Sequence, residues 1–376
     1  MPKRLYFVAG EASGDTHGAA VMSALRELQP DLQFLGRGGP RMRGVAKGDF
    51  LDWSESSSVL GLWEVLKQYR YFRQQFYATI DEIYEHEPDA VVLIDYPGFN
   101  LRLARALRAH LPQVKIIYYI SPQVWAWNRR RIPQMARYLD LMLCIFPFEA
   151  GLYNQSGLRT IFVGHPMTEA MEARRIPGNR DADLVGLFPG SRIRELVKIL
   201  PIMLSSARTI AAARPATRFE VAAASETLAI AAARMLSTSG LAHQVRITTG
   251  EAAALMQRAQ AGIVASGTAT LEAALFRLPF VLVYRVAWLT YLAARLVVKV
   301  KHLGMPNVLA GREIVPEFIQ NDAEPNRIAK AVLRLMNDAD SRSVMVSEFD
   351  TIVATLGENG ASMTTARAIL QEIGSN

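Results

Sequence analysis

Short apolar runs alternate along the chain with longer segments whose apolar residues recur at helical spacing. The apolar runs predict buried strands over residues 5–9, 33–35, 90–94, 115–119, 141–145, 160–163, 184–188, 218–222, 244–248, 262–265 and 280–284. The segments between them predict helices, for example over residues 18–28, 101–109, 196–213 and 251–259. Because strands and helices alternate, the pattern predicts an α/β fold of parallel sheets with right-handed crossover connections.

A polar interruption divides this pattern into two halves. We interpret residues 166–183, which contain the turn sequence Pro-Gly-Asn, as a linker between Rossmann-like domains over 1–165 and 184–345. C-terminal helices over 346–376 could return to the first domain. A chain of 376 residues and 41.6 kDa also exceeds the usual span of one hydrophobic core. His165, between Gly and Pro at the start of the linker, could act chemically but is more often structural in such a place.

Composition narrows the class of protein. Half of the residues are hydrophobic, a fifth are charged and there is no low-complexity tract, so we do not expect a disordered chain. Cys144 is the one cysteine, so an intramolecular disulfide is excluded. The chain begins directly with a predicted strand and shows no uncharged apolar run of about 18 residues. These features predict a cytoplasmic protein without a signal peptide or a transmembrane helix.

The charge indicates the chemistry of the partners. A formal net charge of +7 and a pI near 9.5 favour nucleic acid, anionic lipid or a phosphorylated substrate. No recognition-helix motif appears and no cationic block exceeds residues 129–131, which disfavours nucleic acid. Trp125 and Trp127 precede that block, and aromatic residues beside cations suit a phospholipid surface. A solvated surface loop would carry the same residues.

A loop of small and hydroxyl residues over 266–272 connects a predicted strand to a predicted helix. A helix N-terminus offers unpaired N–H groups to a phosphate. Gly267 would let a ligand approach the backbone, and Ser266, Thr268 and Thr270 would add hydroxyl donors. Glu272 could accept two hydrogen bonds from a ribose diol, so the loop fits a nucleoside diphosphate. An ordinary strand–turn–helix whose Ser and Thr cap the helix fits equally well.

The position of this loop separates the nucleotide-binding classes. No G-x-G-x-x-G opens the chain and no G-x-x-x-x-G-K-[ST] occurs, which disfavours a dinucleotide dehydrogenase and a P-loop NTPase. The nucleotide-like loop instead lies about two-thirds of the way along the chain. This placement predicts two Rossmann-like domains that face a cleft.

The first predicted strand is followed by an acidic loop over residues 10–15. Its carboxylates, Glu11 and Asp15, make it a poor pyrophosphate site. We expect it to accept hydrogen bonds from sugar hydroxyls or to orient a neighbouring group. Ser13 lies between them and could contribute to the same contact. Alternatively, Asp15 or Ser13 caps the helix that starts near His17.

Asp95 ends the strand over residues 90–94. We expect Asn100 to cap the following helix, so Asp95, separated from it by Pro-Gly, has no capping role. A carboxylate at a strand end is placed to act as a general base. A third loop, Gly190-Ser191-Arg192, follows the strand over 184–188, and Arg192 could bind a diphosphate. A surface Arg near a helix start is the competing interpretation.

Two segments combine apolar residues at helical spacing with cations. Residues 53–76 contain Leu62, Trp63 and Leu66, and residues 286–302 contain Trp288 and Tyr291. Both segments are too short or too charged to cross a bilayer, and they suit a surface that dips into the inner leaflet. Amphipathic helices that face the core would show the same spacing.

With these residues in view, the chain resembles the lipid-A-disaccharide synthase family, glycosyltransferases of the two-domain GT-B type. The resemblance runs nearly end to end. It rests on motifs at residues 8–15, 38–42, 95–100, 121–127, 146–149, 163–166, 188–192, 266–275 and 306–313. Thr16-His17, Gln123 and Gly304-Met305 depart from the family pattern, which puts acyl preference rather than the chemistry in doubt.

The resemblance implies transfer of a diacylglucosamine unit from UDP to the primary hydroxyl of diacylglucosamine 1-phosphate, with inversion at the anomeric carbon. It implies that Asp95 deprotonates the acceptor, that Glu11 and Ser13 line the cleft and that Asn307 approaches the nucleotide sugar. It also suggests a homodimer at the inner membrane. No His/Cys/Asp cluster has metal-ligand spacing, so we expect a metal-independent reaction without a cofactor.

Two alternatives from other classes stay open. A sugar-nucleotide epimerase could use the same two-domain scaffold, although its substrate needs no lipid groove. A non-catalytic lipid-binding protein would not need Asp95 and Arg192. Release of UDP from the two lipid substrates distinguishes all three.

Overall fold

The computed structural model describes residues 2–53, 62–287, 301–357 and 360–374, with the backbone alone for 62–69 and Trp127. The chain forms two compact units. The first comprises Met1–Pro166 and Leu356–Asn376, and the second comprises Met167–Thr355. The last helix therefore packs in the first unit, whereas residues 346–355 belong to the second.

The first unit is built on a parallel sheet with strand order β3-β2-β1-β4-β5-β6-β7. The strands are β1 Arg4–Ala9, β2 Gln33–Gly38, β3 Phe50–Asp52, β4 Ala90–Ile94, β5 Lys115–Tyr119, β6 Leu141–Cys144 and β7 Thr160–Phe162. The helices are α1 Ala12–Leu28, α2 Pro40–Ala46, α3 Leu62–His86, α4 Pro97–His110, α5 Val124–Trp127, α6 Ile132–Met135, α7 Pro147–Asn154 and, after the second unit, α16 Ala361–Glu372.

The second unit repeats this arrangement, with strand order β10-β9-β8-β11-β12-β13. Its strands are β8 Asp181–Phe188, β9 Arg218–Ala223, β10 Val245–Thr249, β11 Ala259–Ala265, β12 Phe280–Tyr284 and β13 Glu317–Ile319. Its helices are α8 Pro166–Glu172, α9 Ile193–Ala213, α10 Glu226–Ser237, α11 Ala252–Arg258, α12 Ala269–Leu275, α13 Met305–Ala310, α14 Pro325–Asn337 and α15 Ala339–Thr355.

The central strands are apolar throughout because helices cover both faces of each sheet. Every residue of β4 is fully buried, with 0% exposure. On one face β1 and β4 pack against α1, α2 and α16, and on the other face they pack against α3, α4 and α6. The predicted α/β class, with two parallel sheets and their helices, is confirmed.

Each sheet has one position at which the strand order reverses. In the first unit it lies between β1 and β4, where Ala9 is paired with Ile94. In the second unit it lies between β8 and β11, where Phe188 is paired with Val264. Ligands of open α/β sheets bind beyond the carboxyl ends of the strands at such switch points. The loops after these four strands are the four loops that the sequence analysis selected.

By length and composition, α9 is the one helix in the described chain that could cross a membrane. Half of the most apolar stretch of α9 is buried inside the unit, and Leu196, Ile199 and Met203 are at most 1% exposed. Helix α14 packs against it. The apolar character of α9 is that of a core helix.

Candidate functional site

The turn after β4 holds Asp95 in an unusual backbone conformation. Asp95 and Tyr96 have φ values of 45° and 49°, in the left-handed region that non-glycine residues rarely adopt. The Asp95 carbonyl accepts hydrogen bonds from Asn100 Nδ2 at 2.8 Å and from the Tyr118 hydroxyl at 2.5 Å. Asn100 Nδ2 also donates to the Ile94 carbonyl at 3.1 Å. These contacts hold the turn, so Asn100 and Tyr118 position the Asp95 carboxylate.

This arrangement corrects the expectation for Asn100. Helix α4 begins at Pro97, with Tyr96 in the N-cap position, so Asn100 lies inside the helix. Its side chain is fully buried and binds the turn. The N-cap residue Tyr96 makes no side-chain hydrogen bond that caps α4.

The surroundings of Asp95 favour its protonated form. Partial burial raises the pKa of the Asp95 carboxyl, and the negative charge of Glu11 raises it further, against a hydrogen bond from the Tyr96 backbone that lowers it. Such a carboxylate is a stronger base than an exposed one and is suited to accept a proton. Glu11 and Ser13 are exposed at the start of α1, beside this turn.

Asp15 occupies a different environment from Glu11. Its buried carboxylate accepts backbone N–H bonds from Gly39 at 3.1 Å, Arg41 at 3.1 Å and Met42 at 2.8 Å. It therefore caps the N-terminus of α2 and fixes that helix to α1. This is a correction to both expectations, since Asp15 neither faces a ligand nor caps its own helix.

An aromatic cluster lies against the Asp95 turn. The Tyr96 ring packs on Trp53, Phe72 and Phe99, with centroids 6.0–6.5 Å apart. A Cβ atom at position 10 would lie 2.3 Å from the Tyr96 ring. The Tyr96 ring leaves no room for a side chain at position 10, so this position requires glycine.

Trp125, which the sequence analysis associated with a lipid surface, is buried at 4% exposure. Its indole Nε1 donates to Glu149 Oε1 at 2.8 Å, and burial raises the pKa of Glu149 to about 7. The expectation of a surface role for Trp125 is therefore wrong, because a buried hydrogen bond holds its polar atom. His165 is buried too, and burial, followed by the charge of His17, lowers its pKa to about 4.

In the second unit, the loop after β8 presents Ser191 and Arg192 to solvent. Gly190 has a φ of 103°, and Arg192 occupies the N-cap position of α9. The Arg192 side chain is 82% exposed and lies 3.4 Å from Glu195. A surface ion pair of this kind is weak, so the guanidinium can turn to an anion at little cost.

The loop after β11 divides into an open part and a braced part. Gly267 and Thr268 are exposed, Ser266 is half-buried and Gly267 has a φ of 145° with open space around it. Thr270 is fully buried; its hydroxyl donates to the Gly267 carbonyl at 2.8 Å and accepts from the Met305 N–H at 3.3 Å. Thr270 is therefore an internal brace between α12 and α13, which corrects its expected role as a phosphate donor.

Asn307 is also a brace. It is fully buried, and its Nδ2 donates to the Val315 carbonyl and to Glu317 Oε1, each at 2.8 Å. Its Oδ1 accepts from the N–H groups of Ile314 and Val315 at 2.8 and 2.9 Å. The amide is saturated by the fold, so Asn307 shapes the segment after α13 and its side chain has no donor left for a ligand.

Glu272 lies in the first turn of α12 and is half-buried. Burial raises the pKa of its carboxyl, and Arg174 opposes that shift. Glu272 follows the exposed residues Gly267 and Thr268 by about one helical turn. A carboxylate therefore lies close to the exposed N–H and hydroxyl groups of the loop.

Some expected residues lie outside this description. Trp288 and Tyr291 are outside the described residues, and the side chains of Leu62, Trp63 and Leu66 are as well, although the backbone of α3 begins at Leu62. Across the described parts of the chain, no group of three or more His, Cys, Asp or Glu residues could hold a metal ion.

Glu317 is a hydrogen-bond partner of Asn307 that the sequence analysis missed. It accepts the N–H groups of Leu303 at 3.0 Å and Gly304 at 2.9 Å, which fixes the start of α13. Arg180 was missed as well, and its guanidinium donates to four backbone carbonyls near α11 and α12. Burial lowers the pKa of Arg180 to about 10. The hydrogen-bond partners of a single polar residue near a strand cannot be predicted from the sequence around it.

Comparison with known proteins identifies relatives across the whole chain. The family model described as lipid-A-disaccharide synthetase matches residues 5–370. A lipid-A-disaccharide synthase of Geobacter sulfurreducens is 39% identical over 382 residues, covering 99% of this chain and 97% of the relative. One of Myxococcus xanthus is 38% identical over 379 residues, covering 98% and 97%.

Solved structures share the fold at much lower identity. A UDP-N-acetylglucosamine 2-epimerase of Neisseria meningitidis bound to UDP-GlcNAc has a TM-score of 0.63 at 13% identity, covering 99% of this chain and 100% of the other. The calicheamicin glycosyltransferase CalG4 has a TM-score of 0.59 at 14% identity, covering 99% and 98%. Likeness at this level establishes the architecture alone.

Proposed function

Because the chain belongs to the lipid-A-disaccharide synthetase family, and so is a glycosyltransferase of lipid A synthesis, we propose its substrates and the role of each site residue. The donor is UDP-2,3-diacylglucosamine and the acceptor is 2,3-diacylglucosamine 1-phosphate. The products are the β-linked disaccharide 1-phosphate and UDP. The observation that carries the proposal is the Asp95 carboxylate with its raised pKa, held beyond β4 at the switch point of the first sheet.

Asp95 accepts the proton of the acceptor's primary hydroxyl as that oxygen attacks the anomeric carbon of the donor. The bond between the anomeric carbon and the UDP oxygen breaks in the same displacement, and its electron pair leaves on the β-phosphate. One displacement inverts the configuration and needs a single base without a covalent intermediate. Glu11 contributes by keeping the Asp95 carboxyl basic.

The second unit binds the leaving nucleotide. Arg192 neutralises charge that develops on the diphosphate. The exposed groups of Ser191, Gly267 and Thr268 and the half-buried Ser266 donate hydrogen bonds to it. Glu272 accepts hydrogen bonds from the ribose. Cationic and backbone groups take the place of a divalent ion at the diphosphate, so the reaction is metal-independent.

The proposal places the enzyme on the cytoplasmic face of the inner membrane. Leu62, Trp63 and Leu66, with Trp288 and Tyr291, contact the leaflet and receive acyl chains. Assembly as a homodimer rests on family resemblance alone, and light scattering on the purified protein would test it.

The test is to incubate the protein with both lipids and to measure released UDP and the anomeric configuration of the product. We expect UDP and a β-linked disaccharide in equal amounts, and the same rate after treatment with a strong chelator. Epimerised donor without a disaccharide would favour the epimerase alternative. Failure to release UDP from the donor in the presence of the acceptor would refute the proposed substrates.

A further inference from the structure

A groove rich in arginine lies between α4 and α6, outside the residues assigned above. It encloses about 750 Å³ and is lined on the α4 side by Pro97, Arg102 and Arg105. On the other side it is lined by Arg131, Arg137 and Tyr138. None of its described lining residues is acidic. The groove is therefore a concave and strongly cationic surface.

The sequence of α4 explains why the arginines share one face. Gly98, Arg102, Arg105 and Ala109 recur at spacings of three and four residues, which places them along one side of the helix. Leu103, Ala104 and Leu107 fill the opposite side and are fully buried against the sheet. The cationic stripe is thus a separate face of a helix whose apolar face is already used.

The positive charge of this groove is largely uncompensated. Within the described residues, no carboxylate forms an ion pair with Arg102, Arg105 or Arg137, and all three side chains are exposed. Arg108 differs, because it pairs with Asp140 and donates to the Pro112 carbonyl at 2.6 Å. Arg108 therefore shapes the end of the groove, while the guanidinium groups of Arg102, Arg105 and Arg137 are available to an anion.

The guanidinium groups converge from both sides of the groove. Burial raises the pKa of the Tyr138 hydroxyl, and the charges of Arg131 and Arg105 oppose that shift. Arg131 on one wall and Arg105 on the other therefore both lie near the same hydroxyl. Several guanidinium groups around one groove can bind the oxygens of a phosphate from different directions, which a single carboxylate would not require.

The groove begins beside the proposed base. Pro97, which lines one end, is two residues after Asp95. Arg102 lies five residues after Pro97 in α4, roughly 7.5 Å along the helix axis at 1.5 Å per residue. The acceptor carries its reacting hydroxyl and its phosphate on the two sides of one sugar ring. Binding of the phosphate near Arg102 would then have to leave the hydroxyl of the same sugar within reach of Asp95.

We propose that the arginine groove between α4 and α6 binds the 1-phosphate of the acceptor lipid and so selects a phosphorylated acceptor. This inference rests on the proposed function. It adds a specificity site formed by Arg102 and Arg105, with the Tyr138 hydroxyl as a further donor.

The test compares the double variant Arg102→Ala, Arg105→Ala with the wild type on two acceptors in detergent micelles. One is diacylglucosamine 1-phosphate and the other is the same lipid without its phosphate, used as substrate or as competitor. We expect the KM for the phosphorylated acceptor to rise about tenfold or more, since charge-assisted hydrogen bonds are lost. The turnover number and UDP affinity should change little, and the lipid without phosphate should bind both proteins equally.

Two control variants distinguish the effect of net charge from the effect of the planar guanidinium group. Arg234→Ala, Arg246→Ala removes the same charge from exposed positions of the second unit and should leave the KM unchanged. Arg105→Lys keeps the charge but loses the planar fork, so it should raise the KM by less than Arg105→Ala.

An unchanged KM in the double variant would overturn the inference. So would a variant that keeps its micellar KM but no longer binds phosphatidylglycerol vesicles, since the groove would then bind membrane headgroups. If the wild type releases no UDP, the proposed function fails, and calorimetry with glucosamine 1-phosphate decides the groove separately. Heat that the double variant abolishes would support the groove, and absence of heat with the wild type would contradict it.

Discussion

Asp95 combines a left-handed backbone with a partly buried carboxylate. Left-handed non-glycine residues cost on the order of 1–3 kcal/mol each and persist where their surroundings enforce them. Here Asn100 and Tyr118 enforce the turn through the Asp95 carbonyl. Burial also disfavours ionisation of the Asp95 carboxyl. Asp95 therefore adds two free-energy costs to folding, and a turn with only a structural role would have no use for either.

Substitution of Glu11 by Gln should shift the pH dependence of turnover. Glu11 raises the pKa of Asp95, so its neutralisation lowers that pKa and keeps Asp95 deprotonated at lower pH. The acid limb of the kcat profile should therefore move to lower pH. Glu27→Gln, which removes a carboxylate from an exposed position of the same helix, serves as the control. Equal profiles for wild type and Glu11→Gln would disprove the coupling.

Glu272→Ala and Arg192→Ala should weaken UDP binding in different ways. Loss of Arg192 removes a diphosphate contact, so affinity for UDP and for 2′-deoxy-UDP should fall alike, by roughly tenfold. Loss of Glu272 should reduce affinity for UDP much more than for the deoxy nucleotide, because the ribose contact is already incomplete in the latter. Calorimetry with both nucleotides measures this, with Glu251→Ala as an exposed control. An equal loss for both nucleotides in Glu272→Ala would rule out the ribose contact.

At the scale of elements, the sequence predicted the strands that helices bury on both faces of the sheets. All eleven predicted strands are present, since each contains a short apolar run that is buried in a sheet covered by helices. The short strands β3 and β13, each of three residues at a sheet edge, gave no such run and were missed.

Turns and buried polar side chains were predicted less well. The start of α4 depends on the left-handed pair at residues 95–96, which no local preference for Asp or Tyr indicates. Asp15, Thr270 and Asn307 match polar motif positions, yet their partners come from distant segments. Sequence could therefore identify the loops of the candidate site but could not separate the residues that face a ligand from those that brace the loop.

Gly10→Ala should disturb the Asp95 turn without removing any functional group. The new Cβ atom would lie 2.3 Å from the Tyr96 ring, so Tyr96 and the adjoining Asp95 must move. We expect turnover to fall at least tenfold, since small displacements of a general base are costly, with little change in UDP affinity. Gly44→Ala, whose Cβ atom would meet no atom within 4 Å, is the matched control. Normal turnover of Gly10→Ala would show that the ring does not position the base.

At the scale of the whole molecule, each unit has its selected loops on the two strands that flank its switch point. The first unit carries carboxylates there and the second carries an exposed Arg with hydroxyl and backbone donors. In the proposed glycosyl transfer, the carboxylates would activate the acceptor and the second set of groups would stabilise the leaving nucleotide.

The proposed membrane contact predicts a defect that spares the nucleotide site. The triple variant Leu62→Ser, Trp63→Ser, Leu66→Ser should bind anionic vesicles more weakly and show a higher KM for the lipid acceptor, with unchanged UDP affinity. Binding of the wild type should weaken with salt because the attraction is partly electrostatic. Serine at the exposed residues Ile176, Ile230 and Val344 is the control. A folded triple variant with normal vesicle binding and KM would assign these residues to the core.

The turnover of Asp95→Asn, measured as UDP release at saturating concentrations of both lipids, tests the central claim most directly. The amide keeps the size of the side chain but cannot accept the proton, so kcat should fall by about two orders of magnitude or more. UDP affinity should not change, and the Tm should be equal or higher because the ionised carboxyl no longer has to be partly buried. A folded Asp95→Asn protein that releases UDP at nearly the normal rate would contradict the assignment of Asp95 as the base.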